Sequence, residues 1–208
     1  MAKGAFIFNL MARRYARTPI ADQASYEHKL ELTRKYFTPE SEVLEIGCGT
    51  GSTAILHAPF VKHILATDYA HKMIEIANEK KAAGNIQNVD FDVAVIEDTN
   101  IEPAKYDVVL ALNIIHLLED KPTELNKIFA SVKPGGYFIS STPCFDKIPG
   151  IWRLLLVLFR LVGFPKMESM SADNLKQLMR DAGFTIEEEW AAENNPKVPF
   201  IVASRPAV

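Results

Sequence analysis

Cysteine is scarce in this chain: Cys48 and Cys144 are the only two among 208 residues. Two distant thiols exclude a disulfide framework, and neither stands in the C-x-x-C spacing of a thiolate metal site, so no metal site is expected. Such usage suits a reducing cytoplasm. Charge of one sign is missing as well. Lys and Arg total 23 against 26 Asp and Glu, a net charge of −3, which excludes a chain-wide attraction to nucleic acid. Low-complexity tracts and internal repeats are absent, and 208 residues suffice for one domain with a substantial core.

The N-terminal stretch "MAKGAFIFNLMARRYART" contains no acidic residue. Asn9 interrupts its apolar part, Arg13 and Arg14 come next, and no small-residue cleavage site appears, so it makes a poor secretory signal, although its basic, acid-free character is shared with mitochondrial presequences. Ile7, Leu10, Met11 and Tyr15 recur at helical spacing and predict an amphipathic helix.

Beyond residue 40 the chain alternates between strand-like and helix-like segments. "VLEIG" (43–47), "HILATD" (63–68), "VDFDVAV" (89–95), "YDVVLAL" (106–112) and "GYFISST" (136–142) read as short buried strands. Helical stretches lie between most of them, at 70–83 and at 121–132; the second has Pro122 near its start and "KPGG" past its end. The connection from the third strand to the fourth is too short for more than a stub of helix. A helix over 171–181, capped by Ser171 and ended by Gly183, precedes "FTIEEEWA" (184–191) and "VPFIVAS" (198–204), whose short link predicts antiparallel pairing. The expected fold is α/β: a Rossmann-like, doubly wound, seven-stranded sheet, mostly parallel with an antiparallel last strand.

Ligands in such sheets bind at the carboxyl ends of the strands, near the point where the winding reverses. "VLEIGCGTGS" (43–52) stands there, with Gly47, Gly49 and Gly51 in G-x-G-x-G spacing and one carboxylate, Glu45, inside the strand. Asp68, 21 residues after Gly47, ends the second strand where an acidic residue accepts hydrogen bonds from ribose hydroxyls. Asp68 is equally placed to cap the helix that starts near Ala70. Glu45 either balances a cationic ligand or pairs with a basic side chain of the N-terminal region.

Together, "VLEIGCGTGS", "ATDYAHKMIEIA", "YDVVLALNIIHLL" and "VKPGGYFIS" closely resemble the class I S-adenosylmethionine-dependent methyltransferases, in particular the small-molecule enzymes of ubiquinone and menaquinone biosynthesis. The resemblance covers residues 38–142. It implies one methyltransferase domain over 1–208, with a helical cap (1–37), a cofactor-binding core (38–142), an apolar and basic segment (143–170), and a closing helix and β-hairpin (171–208). The implied cofactor is S-adenosyl-L-methionine. Gly47, Cys48, Gly49 and Gly51 would line its methionine and ribose part, Glu45 its amino group, Asp68 its ribose hydroxyls, Tyr69 and Met73 its adenine, and Asn113 its methionine portion. The acidic residue that many relatives carry after the third strand is replaced here by Val95. Glu97 or Asp98 substitutes for it, or the backbone around Ile96 reads the adenine alone.

Methyl transfer asks chiefly for an in-line approach of the methyl acceptor with water excluded. Where that acceptor must lose a proton, His116 is the neutral-range base near the cofactor motifs, and its alternative role is to shape the pocket wall. Tyr15 and Tyr26 are weaker candidates from the N-terminal cap. Cys144 stands directly after Pro143, but there is no second cysteine past the fourth strand and no "PP[YF]" motif after "LALN", so no nucleic-acid partner is expected and Cys144 is a small pocket or core residue.

Specificity for the methyl acceptor is expected outside the sheet. "GIWRLLLVLFRLVGF" (150–164) is too short and too charged to span a bilayer. Arg153 and Arg160 share a helical face opposite an apolar stripe, so the segment reads as a lid or as an interfacial helix. Residues 1–36 carry seven basic against three acidic residues, and residues 143–166 four against one. Both expected covers of the site are thus basic and apolar. They point to a small lipophilic or amphiphilic methyl acceptor, in a cytoplasmic protein with a peripheral contact to anionic membrane as the accompanying hypothesis; oligomeric state is not indicated.

Overall fold

A computed structural model describes residues 5–96, 101–145 and 169–207. In chain order, these residues form α1 (Ala5–Arg17), α2 (Gln23–Arg34), β1 (Glu42–Ile46), α3 (Ser52–His57), β2 (His63–Asp68), α4 (His71–Ala83), β3 (Val89–Val93), β4 (Tyr106–Leu112), α5 (Lys121–Ser131), β5 (Val132–Ser141), α6 (Ala172–Asp181), β6 (Thr185–Ala192) and β7 (Asn195–Ser204), with single 3₁₀ turns at Ala58–Phe60 and Ile115–Leu117. The strands make one seven-stranded sheet in the order β3-β2-β1-β4-β5-β7-β6. Neighbours from β3 to β5 pair parallel, while β7 runs antiparallel to both β5 and β6, as expected. The winding reverses between β1 and β4.

Residues of alternating parity feed two cores. Leu44, Ile46, Val109, Phe138 and Ile201 face α5 and α6, where Leu125, Ile128, Leu175 and Met179 cover them. Val43, Ile64, Leu110 and Val202 face the other side and meet Leu32, Ala54, Ile74 and Ala77. Each of the Val, Leu, Ile, Met and Phe side chains among them gains about 1.5–3 kcal/mol by leaving water. Glu45 shares the parity of Val43, so the sheet carries a carboxylate into the second core. The expectation of little or no helix between β3 and β4 holds among the described residues. Beside that connection, on the face of the first core, a cavity of about 90 Å³ is lined by Leu44, Leu65, Ile96, Ile101 and Tyr106.

Local chemistry sets the helix starts. Asp22 Oδ1 accepts the Ser25 N–H at 3.0 Å, and Asp120 and Ser171 cap α5 and α6 in the same way. α5 ends with "KPGG" just past it, as expected, but those residues already belong to β5, which starts earlier than the expected 136. The helix stops at Ser131, and Val132–Gly136 enter β5 through a register shift in which Tyr106 pairs with Val132 but Val108 with Tyr137.

α1 is helical as expected, but its packed face is a different one. Leu10, Met11 and Tyr15 are 76%, 50% and 60% exposed, while Ala12, Phe8 and Ala16 pack on Ala70, Met73 and Ile76. Small alanines let the α1 backbone approach α4 closely, and Asn9 Oδ1 accepts the Lys72 N–H at the start of α4 at 2.8 Å. No described helix is long and apolar enough to cross a membrane. The 150–164 block lies outside the described residues; Phe145 and Met170, on either side of it, form a β-bridge past the end of β5.

Candidate active site

The three glycines after β1 all have left-handed φ, at +70°, +55° and +73° for Gly47, Gly49 and Gly51. Their neighbourhoods differ. A Cβ on Gly47 would stand 2.8 Å from Ile114 Cγ1, and one on Gly51 would stand 2.6 Å from Phe91 Cζ and 2.8 Å from Ala77 Cβ. Those two glycines make room for the protein itself. Gly49 alone looks outward, with only Tyr15 Cε1 at 3.8 Å. The loop is held down by Cys48, whose N–H donates to Thr67 O at 2.9 Å. The Cys48 thiol is buried and free, with its pKa pushed up by burial and by the Glu45 and Asp68 carboxylates. Among the described residues there is no His, Cys, Asp and Glu cluster that could hold a metal.

Asp68 is buried at the end of β2. Its Oδ2 accepts the Gly49 N–H at 3.0 Å and its Oδ1 the Ala70 N–H at 2.8 Å, so it anchors the entry to α4 and also grips the glycine loop. Burial raises its pKa, and the two backbone donors oppose that rise. Each carboxylate oxygen keeps a second lone pair for a further donor. Glu45 is 3% exposed, and its Oε2 is buried with no hydrogen-bond partner. Burial first, and the Asp68 charge second, push its pKa up to about 8. No Lys or Arg pairs with it among the described residues, which include Arg13, Arg14 and Arg17 of α1. A buried carboxyl oxygen without a partner, on the strand that leads into the glycine loop, is the fit expected of a site for a cationic ligand.

The remaining candidates fall into three groups. Tyr15 lies over Gly49, and Tyr26 on α2 reaches Thr53 Oγ1 at 3.1 Å near the same loop. Asn113, exposed at the end of β4 with φ +59°, donates its N–H to Ser141 O at 2.6 Å. Tyr69 is half-buried edge-on to Phe8 at 5.6 Å, and Met73 is buried beneath α1, where it packs on Ala12. Val95 and Ile96 come after β3 beside β2, Ile96 being buried; Glu97 and Asp98 lie outside the described residues.

His116 sits in the 3₁₀ turn after β4 with Nδ1 buried and unpartnered. Burial, helped by Lys121, lowers its pKa to about 4. Burial thus makes it a weak base near neutrality, which suits the wall role better than proton transfer. Cys144 is in the core beneath α6, in keeping with a small core residue. One polar group at the mouth of the sheet had no signal in the sequence: Lys29 on α2, whose Nζ donates to Ser141 Oγ at 2.8 Å. Only the tertiary fold brings that helix over β5.

A methyltransferase domain family model matches residues 13–189. The chain belongs to that family. Its sheet order and its loop after β1 are those of the class I S-adenosylmethionine-dependent architecture. It is 34% identical over 140 residues to malonyl-[acyl-carrier protein] O-methyltransferase of Priestia megaterium, covering 65% of this chain and 49% of that protein. It is 28% identical over 163 residues to phosphoethanolamine N-methyltransferase 1 of Arabidopsis thaliana, covering 75% and 32% respectively. The methyltransferase chain thus spans half or less of these relatives. Among solved structures, the [4+2]-cyclase SpnF superposes with a TM-score of 0.80 at 15% identity over 98% of this chain and 95% of that one. That likeness concerns the fold alone.

Proposed function

We propose that the chain is an S-adenosylmethionine-dependent methyltransferase acting on a small methyl acceptor. The observation that carries this reading is the buried Glu45 carboxyl, its Oε2 unpartnered, on the strand that runs into the loop where Gly49 faces outward. In this reading Glu45 would hold the amino group of the cofactor, Asp68 would accept hydrogen bonds from its ribose hydroxyls, and the Gly47–Gly51 backbone would line the part of the molecule between them. Ile96 and Tyr69 border the adenine end, and Asn113 the methionine end. When bound, the cofactor supplies a methyl group already activated on a sulfonium. The protein's own part is to orient the two reactants and keep water out, worth about 7–11 kcal/mol when alignment is good. Tyr15 and Tyr26 contribute by covering the loop, and His116 by walling the pocket.

The relatives named for malonyl-[acyl-carrier protein] and phosphoethanolamine support a small or carrier-borne methyl acceptor. An amphiphilic one, met at an anionic membrane surface, is supported by α1: Phe6, Leu10 and Met11 stand out in solvent among Arg13, Arg14 and Arg17, with no acidic residue in the helix. Two experiments test the reading. Calorimetric titration with S-adenosylmethionine must show binding, and a labelled methyl group must enter small molecules of a metabolite extract rather than RNA or protein. Flotation with anionic liposomes at low salt tests the surface contact, and absence of binding removes it.

A further inference from the structure

Lys29 is a half-buried ammonium without a carboxylate partner. Its Nζ meets Ser141 Oγ at 2.8 Å and stands 6.0 Å from the centre of the Trp190 ring, and no Asp or Glu lies within ion-pair distance among the described residues. Asp22, the nearest acid to influence it, has its oxygens engaged by Ser25 and Asn194. Burial holds the ammonium below the ordinary lysine range, so its surroundings leave the charge incompletely compensated.

Its position in the sheet gives that charge a direction. A ligand gripped by Asp68 at β2 and by Glu45 at β1 extends towards β4, whose neighbour is β5. Ser141 ends β5, pairs with Leu112 of β4, and takes the Asn113 N–H on its carbonyl. Lys29 therefore caps the strand next beyond the cofactor site. Two acids border the half meant for a cation, and one unpaired base borders the half left for the methyl acceptor.

We propose that Lys29 forms an anion subsite that binds a carboxylate or phosphate group of the methyl acceptor and so selects anionic substrates. The subsite rests on the proposed cofactor site at Glu45, Gly49 and Asp68. The bond to Ser141 holds the ammonium in place, and the Trp190 ring gives it an apolar flank on which solvent competes poorly. Lys29 is a specificity residue and exchanges no proton.

The test uses the full chain saturated with S-adenosylhomocysteine, titrated calorimetrically at constant ionic strength with malonate in one arm and inorganic phosphate in the other. Wild type is expected to bind at least one of the two, and the tighter arm tells carboxylate from phosphate. Lys29→Met should weaken that binding by about ten- to a hundredfold, the scale of a hydrogen bond to a charged group. Lys29→Arg should keep it, and both variants should bind S-adenosylhomocysteine as wild type does, which also reports that they fold. Anion binding that ignores Lys29→Met, or wild type binding neither anion, overturns the subsite while leaving the cofactor reading standing. Failure of wild type to bind S-adenosylhomocysteine overturns both.

Discussion

The Asp68 carboxylate closes onto Gly49: its Oδ2 accepts the Gly49 N–H at 3.0 Å across the gap between the ends of β2 and β1. One acid thereby shapes the loop and, in the proposed reading, would also accept the ribose hydroxyls. Asp68→Ala removes both functions. S-adenosylhomocysteine binding is expected to weaken by about 1.5–3 kcal/mol, the range for hydrogen bonds to a charged group. An unchanged dissociation constant by calorimetry would sink the ribose assignment.

The glycines separate folding from binding. Gly51→Ala forces a Cβ into Phe91 and Ala77 at a left-handed φ, and overpacking of that kind costs about 1–3 kcal/mol before the backbone strain of about 1–2 kcal/mol is added. A marked drop in thermal midpoint is expected. Gly49→Ala makes only an ordinary van der Waals contact with Tyr15, so it should cost little beyond the backbone strain in stability but lose cofactor affinity, because in the proposed reading the methyl group stands where the ligand would approach. If both variants lose stability equally and Gly49→Ala binds normally, the outward role of Gly49 is wrong.

Glu45 predicts a proton count. Its pKa of about 8 in the ligand-free protein means that it is largely protonated at pH 7. A cationic amino group beside it favours the carboxylate, so cofactor binding expels a proton and tightens as pH rises towards 8. Calorimetry at pH 7 in buffers of different ionisation enthalpy should report close to one proton released. Glu45→Gln should release none and show a flat affinity between pH 6 and 8. An identical proton count in wild type and variant would remove Glu45 from the cofactor's amino group.

Legibility in the sequence depends on the range of the interactions involved. β2 and β4 begin and end where the sequence suggests, because both are buried apolar runs between polar or turn residues. The packed face of α1 is not legible in the same way, since periodicity locates an apolar stripe but cannot tell that an alanine face will pack closer than a leucine one. Gly47, Gly49 and Gly51 look alike in a motif, yet two of them answer to Ile114 and Phe91, partners that only the fold supplies. Lys29 has no sequence signal at all, because nothing local marks a helix lysine that ends beside Ser141. Glu45 and Asp68 are visible in the sequence because a charge in an apolar strand is conspicuous in any context.

His57 makes stability depend on pH independently of the site. Its ring is fully buried against the edge of Phe37, and both ring nitrogens lack partners. Burial, with Arg34 adding to it, lowers its pKa to about 3. Between that value and the unfolded value near 6.5, the unfolded chain binds a proton that the folded chain refuses, so stability falls as pH drops below about 6.5. The loss is about 1.4 kcal/mol per pH unit, or about 2 kcal/mol at pH 5. His57→Leu fills a similar volume and cannot be protonated. Its stability relative to wild type, from urea unfolding, should therefore rise by that amount between pH 7.5 and pH 5. Parallel pH profiles for the two proteins would mean that His57 takes up its proton in the folded state, and that the cavity around it admits water.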